Sequence, residues 1–234
     1  SDWLSTLSLM TTYSKYFSAA EIKRILENRT TQGATWELLI AETRQAMQQQ
    51  LAPDCKHVQS LALRWMNLTL AMMDDDFNLI DRWGQMYNTE PTGQFKNGPG
   101  PEVVGYINAA IALRMAAMLR HMTLAELRTL RTIDEAAVQQ LTQEAHSLHA
   151  AQADPASAPA KALVARWEQV MLDLCGKQPA LLHKLIKAYN DEPLLQGTTV
   201  FDDITLGFIQ RTLAAQGHQL TVLKKHLTLT QGEG

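Results

Sequence analysis

Cysteine is nearly missing from this chain. Cys55 and Cys175 are the whole supply, and they stand in no metal-binding spacing. Two thiols so placed exclude a disulfide framework and point to a reducing cytoplasm. Charged residues are few, at 19%, and the 21 Lys and Arg nearly balance the 24 Asp and Glu. A net charge of −3 with interspersed signs leaves no electrostatic footprint for nucleic acid. A DNA-binding face would have to lie on a part of the protein outside this chain. No uninterrupted apolar run reaches the ~18 residues of a membrane span, so no membrane partner is expected. The opening Ser1-Asp2-Trp3 has neither a basic stretch nor an initiator Met. We therefore expect no signal peptide, and a native beginning further upstream.

Strand-type alternation is absent throughout, as are a nucleophile elbow, a glycine-rich phosphate loop and a zincin helix. His146 and His149 share a helix face, but no third and fourth ligand joins them, so no metal is expected. Asp74 to Asp76 lack the alternate-position spacing of a calcium loop and read as a helix cap. No cofactor is implied and no enzymatic activity is expected; a catalytic site would have to be assembled from residues distant in sequence.

What is present is a repeat. Arg64-Trp65, Tyr87-Asn88 and Glu90-Pro91 return as Arg166-Trp167, Tyr189-Asn190 and Glu192-Pro193, each displaced by 102 positions. The same offset links Leu39 to Leu141, Glu42 to Glu144, Pro53 to Pro155, and Gly105-Tyr106-Ile107 to Gly207-Phe208-Ile209. One offset held over so much sequence reads as an internal duplication giving two similar lobes. A capping box at Ser18 and Glu21 recurs at Thr123 and Glu126, displaced by 105. A three-residue length difference therefore falls between the first and second helices of the lobes.

The spacing of apolar residues predicts an all-α fold. An N-terminal helix over 2–16, with Trp3, Leu4, Leu7 and Met10 at helical steps, has no counterpart in the second lobe. It reads either as the end of a helix from a preceding domain or as a simple extension. Lobe one spans 17–122, with helices from Ser18 to about Asn28, Thr35–Gln50, Cys55 onward, Phe77–Thr89 and Glu102 to about Met122. The third carries Leu61, Trp65, Leu68 and Met72 on one stripe, and Pro91 stops the fourth. Residues 92–101 are irregular. Lobe two spans 123–234, with a matching stripe of Leu163, Trp167, Val170 and Leu174. It continues with a helix that starts at Pro179, another over Asp202–Gln216, and a last one over Leu220–Thr230.

Arg64 and Arg166 are expected to pair with Glu90 and Glu192, or with the last carbonyls of those helices, as scaffold. Most aromatic and Met side chains must fill the core. Trp83, Tyr87, Tyr106, Asn108, Phe208 and Gln210 nevertheless combine flat rings with polar tips, as in an adaptable site for bulky apolar ligands. Asn108 and Gln210 occupy corresponding places, and they also read as solvent-facing amides.

The run Tyr16-Phe17-Ser18 with Glu21, then Leu63-Arg64-Trp65-Met66, then Met86-Tyr87-Asn88-Thr89-Glu90-Pro91, resembles the TipAS antibiotic-recognition domain. That domain is the effector part of certain MerR-type transcription activators. Two such lobes, over about residues 13–216, are similar to the tandem albicidin-binding resistance proteins. The resemblance implies globin-like helical lobes. It also implies that a large multi-ring, peptide-like antibiotic, albicidin-like or thiopeptide, binds in a tunnel or groove between them. By that likeness Tyr87, Asn108 and Gln210 face the ligand, with Tyr189 as the echo of Tyr87. Met118 and Leu174 stand where the family would carry rings. The helix 2–16 then looks like the stretch that follows a DNA-binding domain, so DNA is a partner only through that absent part. A homodimer is open for the full-length form. A helical protein–protein interaction module and a hydrolase or transferase remain as alternatives. Ligand choice is expected from residues that vary between the copies, such as Trp83 against Leu185.

Overall fold

The computed structural model describes residues 2–90 and 98–217, with side chains from Leu7 onward. The expected terminal helix 220–230, Pro91, residues 92–97, and the side chains of Trp3 and Leu4 lie outside the described residues. Among the described residues all regular structure is α-helical. The chain divides into two compact units, Ser1–Arg114 and Met115–Gly234.

The first unit contains α1 (Asp2–Ser14), α2 (Ala19–Thr31), α3 (Gly33–Gln48), α4 (Lys56–Met72) and α5 (Phe77–Thr89). The division falls inside α6 (Pro101–Leu119). The second unit continues with α7 (Leu124–Leu127), α8 (Glu135–Ala150), α9 (Ala158–Leu174), α10 (Pro179–Asp191) and α11 (Asp203–Ala215). α6 is the one described helix long and apolar enough to cross a membrane, with a mean hydropathy of 1.4 over its best window. The run criterion missed it because Glu102 and Arg114 interrupt the run but are tolerated in an average. Arg114 is fully buried.

Local chemistry sets most helix ends. Ser18 accepts from the Glu21 N–H while the Glu21 carboxylate takes the Ser18 N–H at 2.8 Å, so two orphan donors are satisfied reciprocally. Thr123 and Glu126 do the same for α7. Asp76 caps α5 through the Asn78 N–H at 2.9 Å, and Asp134 caps α8 in the same way.

Helix starts are evenly offset. Gly33 and Glu135, Lys56 and Ala158, Phe77 and Pro179, and Pro101 and Asp203 each lie 102 positions apart. Left-handed backbone recurs at the same spacing, at Gln50 and Gln152, Asp74 and Gly176, and Asp75 and Lys177.

Ion pairs follow suit, but not as expected from sequence. Arg64 and Arg166 pair with Glu42 and Glu144 on the preceding long helices, not with Glu90 and Glu192. α3 runs beside α4, and α8 beside α9, which puts those carboxylates within reach first. Glu90 is taken instead by Lys15 at 3.0 Å and by Tyr16. Glu192 is taken by Arg120, whose Nε donates at 2.8 Å, and by His121 at 2.9 Å. Glu21 binds Arg82 at 2.6 Å, and Glu126 binds Lys184 at 2.5 Å.

At an offset of 105, Lys15 and Arg120 hold Glu90 and Glu192, and the buried Tyr13 and Phe17 stand against the buried Met118 and Met122.

The two units differ most at α7, four residues long against thirteen in α2. The chain beyond Leu127 docks on the end of α9, where the Arg131 N–H donates to the Leu174 carbonyl at 2.8 Å. In each unit the cores are layers of helix on helix. In the first, Tyr13, Phe17, Ile22, Ile25, Leu79 and Met86 form one cluster, and Leu39, Leu61, Leu68 and Ile107 form another. In the second, Leu141, Leu163, Trp167, Phe208 and Ile209 form the cluster between α8, α9 and α11.

Two predictions follow from these turns and ties. At Gly176 φ is +58°, and a Cβ would lie 3.1 Å from the Thr129 carbonyl. Gly176→Ala is expected to lower the unfolding free energy by about 1–2 kcal/mol, measured by urea titration; an unchanged midpoint would contradict the strain. The Arg120 hydrogen bonds, against the opposing effect of burial and with help from His121, hold the Glu192 carboxyl down to about 2, from 4.5. A depressed carboxyl stabilises the fold above its unfolded pKa, and that stability fades as pH falls toward 2. Melting curves between pH 5 and about 2 should therefore be flatter for Glu192→Gln than for the native chain.

Candidate functional site

The end of α1, the turn after it and α5 together build an aromatic cluster in the first unit. Tyr13 and Phe17 are four residues apart, as are Trp83 and Tyr87, so each pair stacks along one side of its segment. Phe17 precedes the cap Ser18 and packs in the same cluster as Ile22, a hydrophobic staple that fixes how the chain enters α2.

Trp83 is the centre of the group. Its ring lies 5.6 Å from Tyr13, 6.0 Å from Phe17 and 5.5 Å from Tyr87, at tilted or edge-on angles. Such offsets suit the ring quadrupoles. The Arg82 guanidinium sits 5.4 Å from the Phe17 ring centre while it binds Glu21, so the cap and the aromatic group are braced together. Tyr13 and Phe17 are buried, whereas Trp83 and Tyr87 are half-buried.

Two phenols belong to the group, Tyr13 buried and Tyr87 half-buried. Burial pushes the Tyr87 hydroxyl up to about 12, with Tyr13 adding to the rise and Arg29 opposing it. Burial also raises Tyr13, against the charge and hydrogen bond of Arg29. Both phenols therefore stay protonated near neutrality.

The other sequence candidates go elsewhere. Tyr106 is half-buried on α6 among Trp36, Trp65 and Leu39, and its hydroxyl donates to the Leu51 carbonyl at 2.8 Å. That bond makes it a strut for the turn after α3. Asn108 is exposed on α6, which agrees with the solvent-facing reading of this amide. In the second unit Met118 is buried and Phe208 is a core residue, with the Arg211 guanidinium 5.8 Å from its ring. Leu174, Tyr189 and Gln210 are half-buried on α9, α10 and α11.

Of the nine candidates, Trp83 and Tyr87 are brought into direct contact. Tyr13 and Phe17, which were not among the candidates, join the same cluster. The four-residue spacing of rings, at 13 and 17 and again at 83 and 87, was the available signal.

Among the described residues no three His, Cys, Asp or Glu side chains gather as metal ligands. His146 binds Asp202 at 2.6 Å, and His149 lies against Arg211. Burial pushes the Cys175 thiol up to about 11, which disfavours the thiolate needed for covalent capture. Compared with protein-family models and with curated proteins, the sequence matches none.

The phenols give a direct test. In a spectrophotometric titration of the folded protein, Tyr87→Phe is expected to remove a tyrosine step near pH 12. Since a raised phenol pKa means stability lost as pH climbs from the unfolded value of ~10, the variant should also resist alkaline unfolding better. A titration in which Tyr87 ionises at ~10 would show that its hydroxyl is solvated.

Proposed function

We propose that this chain binds a large, multi-ring, peptide-like antibiotic of the albicidin-like or thiopeptide class. It does so as the drug-sensing part of a MerR-type transcription regulator or as a sequestering resistance protein of the cytoplasm. The observation that carries the reading is the Trp83 group: an indole in contact with the rings of Tyr13, Phe17 and Tyr87, with Trp83 and Tyr87 half-buried. Stacking and apolar burial on such a group supply affinity for flat rings, and the hydroxyls fix register.

The finer architectural reading is that the two units are duplicated, globin-like lobes of TipAS type. Its support is the constant offset of four helix starts, three left-handed backbone positions and the Glu42–Arg64 and Glu144–Arg166 pairs. Within that reading the lobes have diverged where the ligand is met. Trp83, Tyr13 and Phe17 correspond to Leu185, Met118 and Met122, so the first lobe keeps the aromatic platform while Tyr87 and Tyr189 are common to both. A drug that binds one conformer of a regulator better than another shifts the population by that difference in affinity.

The test is a panel of albicidin-like and thiopeptide compounds, read by tryptophan fluorescence and thermal shift. A binder should quench emission and raise the melting temperature with concentration. Trp83→Leu, which installs the residue found at the corresponding place in the second unit, should weaken binding about tenfold or more. No thermal shift across the panel would overturn the proposal, and so would full affinity in Trp83→Leu for the aromatic platform.

A further inference from the structure

One residue of α5 is explained neither by its backbone nor by its packing. Gly84 stands in the middle of the helix with right-handed geometry, so no positive φ requires a glycine there. A Cβ built on it would meet no atom of the described residues within 4 Å, so no neighbour requires one either. Glycine inside a helix still costs stability relative to alanine, because more backbone freedom is lost on folding. The residue 102 positions on, Ile186, is a branched side chain buried on α10. A side chain at this place is therefore compatible with such a helix, and Gly84 leaves it bare.

On the helix surface Gly84 lies beside the residues three and four positions away. Two of these, Ile80 and Tyr87, are half-buried and pack with Trp83 against the aromatic cluster of the first unit. Gly84 itself is exposed. The half-buried margin of the Trp83 group thus passes directly into uncovered helix backbone.

We propose that a planar aromatic segment of the ligand lies flat on α5 at Gly84, with its edge against Ile80 and Tyr87. Carbon atoms attract best at about 3.5–4.0 Å, and a β-carbon at 84 would hold a ring off the backbone. Gly84 is in this sense a specificity-determining residue: it admits a thin, unsubstituted ring face and penalises a branched or puckered one. Small size, not backbone freedom, is what the position uses. The inference rests on the antibiotic-binding reading of the same group and narrows it, since it requires the ligand to carry an open planar ring face.

The experiment uses the full chain labelled with nitrogen-15 and two small neutral probes. Naphthamide is flat and rigid; its fully hydrogenated counterpart keeps the carbon skeleton but is thick and puckered. Titration with naphthamide should move the Gly84 amide and the Trp83 indole N–H resonances together to saturation. The flat probe should bind about tenfold tighter than the puckered one. Gly84→Ala should raise the melting temperature by roughly 2–4 °C, since alanine is the better helix former. The same variant should weaken naphthamide about fivefold, and Gly84→Ile should abolish its binding. A merely structural position would not move stability and affinity in opposite directions. Gln85→Ala, an exposed change one residue on, should leave the affinity as it is. A Gly84 resonance unmoved at saturating naphthamide would overturn the proposal. Equal affinity for the two probes would do the same, and so would undiminished affinity in a folded Gly84→Ile. The probe comparison on the unaltered chain needs no variant, so a variant that fails to fold does not spoil it. The two readings fail separately. Naphthamide bound at Gly84 with no response to any antibiotic leaves the contact standing and rejects the drug-binding function. Antibiotics held equally by Gly84→Ile and the native chain reject the contact and leave the function.

Discussion

A carboxylate that ends a helix and is almost covered by protein needs donors on more than one side, and Glu192 has them. Arg120 and His121, which follow α6, both reach it. Removing water from a carboxylate costs several kcal/mol unless partners replace that solvation. The tie therefore fixes where the chain leaving α6 must lie against the end of α10. Glu90 does the same in the first unit with Lys15 and Tyr16. Glu21 and Glu126 each serve twice, as capping-box residues and as ion-pair partners of Arg82 and Lys184. The capping thus joins local helix formation to packing through single side chains. Once these carboxylates are placed, the entry to α2, the direction of α5 and the aromatic group between them have little freedom left.

Much of this was legible in the residues. Ser18, Asp76, Pro179 and Asp202 announce helix starts because capping is local chemistry, decided within four residues of chain. The interior stripes of α4 and α9 are equally legible, since a 3.6-residue period states which side is buried. Partner choice was not. Arg64 and Glu42 each carried the 102-residue offset, yet nothing in the sequence says that α3 lies beside α4 more closely than the end of α5 does.

The candidate site divides along the same line. Trp83 and Tyr87 share a helix side, so their contact follows from spacing. Tyr106 and Phe208 looked equivalent in sequence and are both packed inward, but the Tyr106 hydroxyl had to find the Leu51 carbonyl, while Phe208 carries no such group. Asn108 ended in solvent and Gln210 half-covered. Spacing also puts Tyr13 and Phe17 on one side of their segment, but that this side meets Trp83 depends on the fold.

The chain beyond α7 and the glycine at 176 constrain each other. The Thr129 carbonyl stands 3.1 Å from where a β-carbon at 176 would lie, on a backbone already in the left-handed region. In the first unit the left-handed Asp74 keeps its side chain and binds Asn28 at 2.9 Å and Arg24. The path of one segment thereby limits the residue permitted in another nearly fifty positions away. A side chain at 176 would press on the chain docked at the end of α9, so a change at either place is felt at the other.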